Sequence, residues 1–159
     1  MPQRPRPENQ ESGFDAAVSS RADVGFSHIA LGVGDIDRSL DFYARYASFD
    51  LVHRRNEGTD VAWLSDLRRP FVLVLIQLEK IETRLGGICH LGVGCSSREE
   101  VDRLCDLARS EDCLQLGPVD SGYPVGYWAF LRDPDGHHLE ISYGQEVALT
   151  ISEVRRERG

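Results

Sequence analysis

The stretch His28-Ile29-Ala30-Leu31-Gly32-Val33-Gly34 decides the fold, because its features return as His90-Leu91-Gly92-Val93-Gly94. The Leu-Gly-Val-Gly sequence recurs at an offset of 60 residues (91 − 31), and the histidine recurs at an offset of 62 (90 − 28). Side chains of a β-strand alternate between its two faces with period two, so both offsets keep each residue on the same face. We therefore predict a duplicated unit, each copy of which opens with a strand.

A helix pattern follows each of these strands. Asp35 or Asp37 can cap the first helix, and Ser97-Arg98-Glu99-Glu100 has the form of a capping box for the second. Three strand-like runs then complete each half: residues 49–55, 60–65 and 71–78 in the first, and residues 113–119, 126–132 and 137–143 in the second. The expected fold is α+β, with two βαβββ modules at about residues 24–80 and 86–145.

The two ends of the chain differ from this domain in composition. Residues 1–23 are rich in proline and charge and poor in large apolar side chains, which predicts a disordered tail. Residues 146–159 end in a charged cluster, which predicts a charged, solvated tail. The function is expected to lie between them.

Composition also narrows the class of partner. A net charge of −8 disfavours nucleic-acid binding, which relies on Lys and Arg to neutralise phosphates. No apolar run approaches the roughly 18 residues of a membrane span. Neither an apolar leader nor a Cys-x-x-Cys pair is present, so the cysteines are expected to be free thiols of a cytoplasmic protein: Cys89, Cys95, Cys105 and Cys113. A small molecule is the expected partner.

Three residues on the predicted strands form a candidate metal site. Strand alternation places His28, His90 and Glu140 opposite the apolar faces of their strands. Two histidines and one carboxylate suit a divalent ion and leave its other side open to substrate. The small residues Ala30 and Gly92 on the same face leave room for a pocket. His137 and His138 follow the turn 133–136 and are expected to be exposed.

These stretches resemble the vicinal oxygen chelate superfamily, which includes glyoxalases, extradiol dioxygenases, fosfomycin-resistance enzymes, methylmalonyl-CoA epimerases and bleomycin-binding proteins. The matching motifs are residues 26–33, 37–43, 88–93 and 130–141. The resemblance implies a cupped mixed sheet with helices on its outer face, and His28, His90 and Glu140 as the metal ligands. It also implies a homodimer, with the pocket built from one chain or across two.

A fourth ligand separates the branches of that superfamily. The resemblance to glyoxalases implies a carboxylate in the last strand of the first module, and that position falls on Val74, or on Leu73 with a one-residue slip. Neither side chain can bind a metal. Gln77 should point away from the face of Val74, because the two are three residues apart on one strand. Three ligands fit extradiol dioxygenases and fosfomycin-resistance enzymes better.

The lead expectation is an extradiol dioxygenase-like enzyme that acts on a catechol-type or other vicinal-oxygen substrate, with Fe(II) favoured and Mn, Zn, Ni or Co as other candidates. The acid/base tyrosine of such enzymes corresponds to Phe130, which cannot carry a proton. The candidates that could replace it are Tyr123, Tyr127 and His53. The alternatives are a glyoxalase-like lyase or isomerase, a fosfomycin-resistance-like transferase or hydrolase, and a non-catalytic binding protein like the bleomycin-resistance proteins.

Overall fold

The computed structural model describes residues 25–158, and the tail predicted for residues 1–23 lies outside that range. Each half of the described chain has one helix and four strands, in the predicted order. Module 1 consists of β1 (His28–Val33), α1 (Ile36–Ala47), β2 (Asp50–Asn56), β3 (Asp60–Ser65) and β4 (Val72–Gln77). Module 2 consists of β5 (Leu91–Gly94), α2 (Arg98–Ser110), β6 (Leu114–Asp120), β7 (Tyr127–Arg132) and β8 (His138–Tyr143). A third helix, α3 (Val147–Arg158), follows.

Each module forms one four-stranded mixed sheet. The strand orders are β1-β4-β3-β2 and β5-β8-β7-β6, so the two sheets have the same topology. In both, the first strand pairs in parallel with the last, and the remaining pairs are antiparallel. This arrangement confirms the α+β fold of two βαβββ modules, and it leaves β1 and β5 each at one edge of their sheets, with β2 and β6 at the opposite edges.

The helix caps explain where α1 and α2 begin. Asp35 caps α1 by accepting a hydrogen bond from the amide of Arg38, and the Ser97 hydroxyl accepts one from the amide of Glu100. The apolar side of each helix covers one face of a sheet, and the other face of each sheet is left for the candidate site. The buried core is built from these faces, including Phe42, Tyr43, Leu75, Val101, Leu104, Leu131 and Ile141.

Buried polar contacts join the two modules. The Tyr43 hydroxyl of α1 donates to the Asp133 carboxylate, 3.0 Å away, at the β7–β8 turn. His137 is buried, and its Nε2 donates to the Gly32 carbonyl at 2.9 Å while its Nδ1 accepts from the Leu85 amide at 3.1 Å. The expectation that His137 is exposed is therefore wrong: both ring nitrogens are occupied by backbone groups distant in sequence, and the residue ties module 1 to module 2.

The C-terminal segment differs from the tail predicted for residues 146–159, because residues 147–158 form α3. None of its residues is buried, so the helix is as solvated as the charge pattern indicated. In the described part of the chain, no helix is both long enough and apolar enough to cross a membrane.

Candidate metal centre

Strand register defines two equivalent rows of residues, one across each sheet. Pairing across module 1 aligns the side chains that we call the module 1 row: Ala30, Val74, Trp63 and His53. Pairing across module 2 aligns the module 2 row: Gly92, Glu140, Phe130 and Leu116. Both rows lie beside a register irregularity, at 51/53 in module 1 and at 114/116 in module 2. Glu140 and Val74 therefore occupy equivalent positions.

His90 immediately precedes β5, and Glu140 lies in the middle of β8. The parallel pairing of β5 with β8 brings the two side chains together. Their nearest atoms, His90 Nε2 and Glu140 Oε2, lie 3.4 Å apart. The side chain of Glu140 is only 8% exposed and that of His90 is 32% exposed, so the carboxylate is buried and the imidazole ring is partly open to solvent. A carboxylate this buried needs partners for both oxygens, because an unpaired buried charge is costly.

The hydrogen bond on the other side of the His90 ring fixes which ring nitrogen faces Glu140. Nδ1 is 2.8 Å from the carbonyl oxygen of Ile88, which can only accept, so Nδ1 carries a proton. Nε2 is then the ring nitrogen directed at the Glu140 carboxylate. A metal ion could bind Nε2 of His90 and Oε2 of Glu140 together, and a backbone carbonyl on the second ring nitrogen is the usual support of a metal-binding histidine.

The spacing of the two donor atoms fits one metal ion. Bonds of about 2.1 Å from an ion to a nitrogen and to an oxygen place those atoms about 3.0 Å apart at the roughly 90° of neighbouring octahedral positions, and about 3.4 Å apart at a tetrahedral angle of about 110°. Imidazole and carboxylate together suit Mn, Fe, Co, Ni and Zn. His90 and Glu140 are thus suited to hold two coordination positions of a divalent metal.

His28 is not part of this pair within one chain. It lies on the edge strand β1, where its exposed ring is 2.9 Å from the Ser27 hydroxyl through Nδ1. Among residues 25–158, no group of three or more His, Cys, Asp or Glu side chains is close enough to hold a metal ion. Of the three predicted ligands, His90 and Glu140 therefore meet in module 2, whereas His28 is exposed on module 1.

A row of aromatic rings lies beside the His90–Glu140 pair, on the same face of the sheet. Phe130 lies beside Glu140 in the module 2 row, and its ring centre is 4.8 Å from that of His90. Trp128 and His138 continue this wall, at 4.9 and 5.8 Å from Phe130. The site is thus lined on one side by flat, weakly polar surfaces, which suit an apolar or planar part of a ligand.

The three candidate proton carriers have different locations. Tyr127 points to the opposite face, where its hydroxyl donates to Asp102 of α2 at 2.6 Å, and this hydrogen bond raises the pKa of Tyr127 to about 12. This placement removes Tyr127 from the candidates, since strand alternation separates it from Phe130. Tyr123 is exposed in the β6–β7 loop. His53 lies in the module 1 row, with its ring against Trp63 at 5.2 Å.

One contact of the site was not predicted from the sequence. Nε2 of Gln145, two residues beyond β8, donates to Glu140 Oε1 at 3.1 Å. No local sequence signal marks Gln145, because the contact depends on how the chain turns after the strand. Gln77, by contrast, lies as expected on the helix side, where its side-chain oxygen accepts from the amide of Ile36 at the start of α1.

Comparison with known proteins identifies the family of the chain. The family model of the Glyoxalase/Bleomycin resistance protein/Dioxygenase superfamily matches residues 25–141. The chain belongs to this superfamily. It is 35% identical over 125 residues to an uncharacterized protein of Pseudomonas aeruginosa, covering 76% of this chain and 89% of that protein. It is 27% identical over 131 residues to a probable lactoylglutathione lyase of Vibrio cholerae, covering 76% and 91%.

Solved structures of the superfamily share the fold. Glyoxalase I of Leishmania major has a TM-score of 0.61 at 20% identity, covering 85% of this chain and 97% of that one. The fosfomycin-resistance protein FosX of Listeria monocytogenes, in a complex with Mn(II) and a dihydroxypropylphosphonic acid, has a TM-score of 0.62 at 15% identity, covering 80% and 98%. Members of the superfamily therefore use this fold with divalent metals and small molecules.

The register decides which residue lies at the position where the resemblance to glyoxalases implies a fourth ligand. Val74, not Leu73, pairs with Ala30 and occupies the place in module 1 that Glu140 holds in module 2. Its apolar side chain is buried and offers no donor atom. Leu73 lies one residue earlier on β4 and packs in the core on the other face.

Proposed function

We propose that this protein is a divalent-metal-dependent enzyme whose site consists of His90 and Glu140 of one chain and His28 of a second copy. The observation that carries the proposal is the 3.4 Å pair of His90 Nε2 and Glu140 Oε2, with the His90 proton held on Nδ1 by Ile88. This arrangement holds two donor atoms ready for a cation. A third protein ligand would complete the facial set of two histidines and one carboxylate.

The second copy is proposed because each chain has the two parts of the site on different edge strands. His28 is on β1 and His90 immediately precedes β5, and each of these strands lies at an edge of its sheet. In a symmetric dimer, β1 of one chain beside β5 of the other would form two identical sites, as a two-fold axis requires. The duplicated topology supports this, since the modules present matching edges.

The metal would polarise two neighbouring oxygens of a bound substrate, acting as a Lewis acid and a template. The residues of the chain supply the rest of the site. Phe130 and Trp128 would bind the apolar part of the substrate and exclude water on one side. His53 is the proposed proton carrier, because it lies in the module 1 row and its imidazole ring can both accept and donate a proton.

A lyase, isomerase or hydrolase reaction is favoured over the ring-cleaving dioxygenase that was the lead expectation. Phe130 stands beside Glu140 and packs on the His90 ring, so the position expected for an acid/base tyrosine holds a side chain without a proton. The similarity to proteins named lactoylglutathione lyases supports the same direction. Val74 leaves one more metal position open than a four-ligand glyoxalase has, which favours a substrate that binds through both oxygens.

The test is anaerobic loading of the purified protein with Mn, Fe, Co, Ni or Zn, followed by metal analysis and two substrate panels. The first panel contains hemithioacetals and epoxides without O₂, and the second contains catechols with O₂. We expect one metal per chain and turnover in the first panel only. Ring-opened products from the second panel would support the dioxygenase instead. Failure to bind any of the metals would support a non-catalytic binding protein and overturn the proposal.

A further inference from the structure

The Glu140 carboxylate has two oxygens with different partners. Oε2 faces His90 Nε2 at 3.4 Å, and Oε1 accepts a hydrogen bond from Gln145 Nε2 at 3.1 Å. The amide nitrogen of Gln145 must be the atom in contact, because its oxygen would be repelled by the carboxylate. Gln145 therefore occupies the one oxygen that does not face His90.

The backbone delivers Gln145 to this place by a tight turn after β8. Gly144 has a positive φ of 75°, which turns the chain back over the sheet, and Gly126 crosses it closely with a φ of 84°. A Cβ atom on Gly126 would clash with the Tyr143 carbonyl oxygen and lie 2.7 Å from the carbonyl carbon of Gly144. Only glycine permits this crossing, so the turn that carries Gln145 is fixed by packing.

The residues that follow hold the turn from its other side. The amide of Glu146 donates to the Pro124 carbonyl at 3.1 Å, which ties the turn to the β6–β7 loop. The amide of Val147 donates to the Gln145 carbonyl at 2.9 Å as α3 begins. The backbone that follows Gln145 is thus hydrogen-bonded, although the side chain reaches the site from an exposed position.

We propose that Gln145 is a positioning residue that orients the Glu140 carboxylate, so that one oxygen alone is presented beside His90 to the metal. This inference rests on the proposed function. A carboxylate free to rotate can offer either oxygen or both, whereas one oxygen held by an amide leaves a single donor in a fixed direction. Outer hydrogen bonds of this kind typically change metal affinity by about tenfold to a hundredfold.

The experiment compares the full-length wild-type protein with Gln145→Leu and with the matched control Gln115→Leu. Gln115 is an exposed glutamine on β6, so its replacement makes the same chemical change away from the site. Co(II) is titrated into each metal-free protein, and both the dissociation constant and the visible absorption spectrum are recorded. The melting temperature of the metal-free proteins checks that each variant is folded.

We expect Q145L to bind Co(II) about 10 to 100 times more weakly, with an altered absorption spectrum, while Q115L matches the wild type. If Q145L binds Co(II) within twofold of the wild type and with the same spectrum, the role of Gln145 is wrong while the metal site stands. If the wild-type protein itself binds no Co(II), the proposed function fails, and the role of Gln145 fails with it.

Discussion

Module 1 and module 2 have the same backbone and different chemistry. Their sheets share one strand order, and the module 1 row matches the module 2 row position by position. Yet Glu140 in module 2 stands where module 1 has Val74, and the leucine at position 116 stands where module 1 has His53. The comparison teaches that the fold offers two equivalent positions for a metal-binding side chain. In this chain only one of them, Glu140, has donor atoms.

Burying the Glu140 carboxylate costs free energy, and module 1 has no such cost at Val74. A buried carboxylate requires partners, and module 2 provides His90 on one oxygen and Gln145 on the other. Val74 requires none, because an apolar side chain gains from burial. Module 2, which holds the proposed ligands His90 and Glu140, is therefore the module that also carries the hydrogen bond from Gln145.

The largest effect is expected when module 2 is made to resemble module 1. Glu140→Val should weaken metal binding by more than about 100-fold, since a ligand rather than its support is lost. The metal-free protein should be as stable as the wild type or more stable, because a buried charge is replaced by an apolar group. Metal titration and thermal unfolding measure both, with Glu140→Gln as the control of equal shape. Unchanged metal affinity in E140V would remove Glu140 from the site.

The converse change is to make module 1 resemble module 2. Val74→Glu places a carboxylate at the position equivalent to Glu140, and it should tighten metal binding by about tenfold if the two modules of partner chains face each other. The metal-free protein should lose about 1–3 kcal/mol of stability, because the new carboxylate is buried without a partner. Val74→Gln, which adds polarity without charge, is the control. Equal affinities of V74E and V74Q would show that position 74 is not at the metal.

A pair of glycines tests the supporting turn of module 2. Gly126 and Gly58 both have positive φ, at 84° and 89°, and lie in the corresponding loops of the two modules. An added Cβ meets nothing within 4 Å at Gly58, whereas at Gly126 it meets the backbone of residues 143 and 144. Gly58→Ala should cost about 1–2 kcal/mol through strain, and Gly126→Ala about 3–5 kcal/mol through strain and clash. Chemical denaturation measures both, and equal losses would contradict the close crossing.

The smallest effect is expected on the outer face of module 2. Tyr127→Phe removes a hydroxyl that binds Asp102 on α2, an exposed contact, and should change stability by less than about 1 kcal/mol. Metal binding and turnover should stay at the wild-type level, whereas His53→Gln should lower kcat with little effect on metal affinity. Steady-state kinetics of the two variants separate these roles. A loss of kcat in Y127F would return Tyr127 to the site.

Local sequence signals sufficed for much of the fold. The repeated Leu-Gly-Val-Gly stretch, the caps at Asp35 and Ser97, and strand alternation predicted both modules and the face of Glu140. The same alternation excludes Tyr127 from the face of Phe130, so that correction was available from the sequence.

The remaining features depend on contacts between distant residues. His137 is buried because it binds Gly32, 105 residues away, and Leu85, 52 residues away, and nothing near it in sequence indicates either. Gln145 reaches Glu140 only because two glycine-containing turns cross. The separation of His28 from His90 depends on how the two sheets sit in one chain, which a repeat cannot specify.

The most direct test of the account is complementation between two variants that are each unable to bind metal. His28→Ala and Glu140→Gln chains are co-expressed, and the metal content of the mixed dimers is compared with that of each variant alone. If the site is shared across a symmetric dimer, half of the dimers are mixed and each has one intact site, so about one quarter of the wild-type metal should return. No recovery above the single variants, or full metal binding by H28A alone, would contradict a site built from His28 of one chain and His90 and Glu140 of the other.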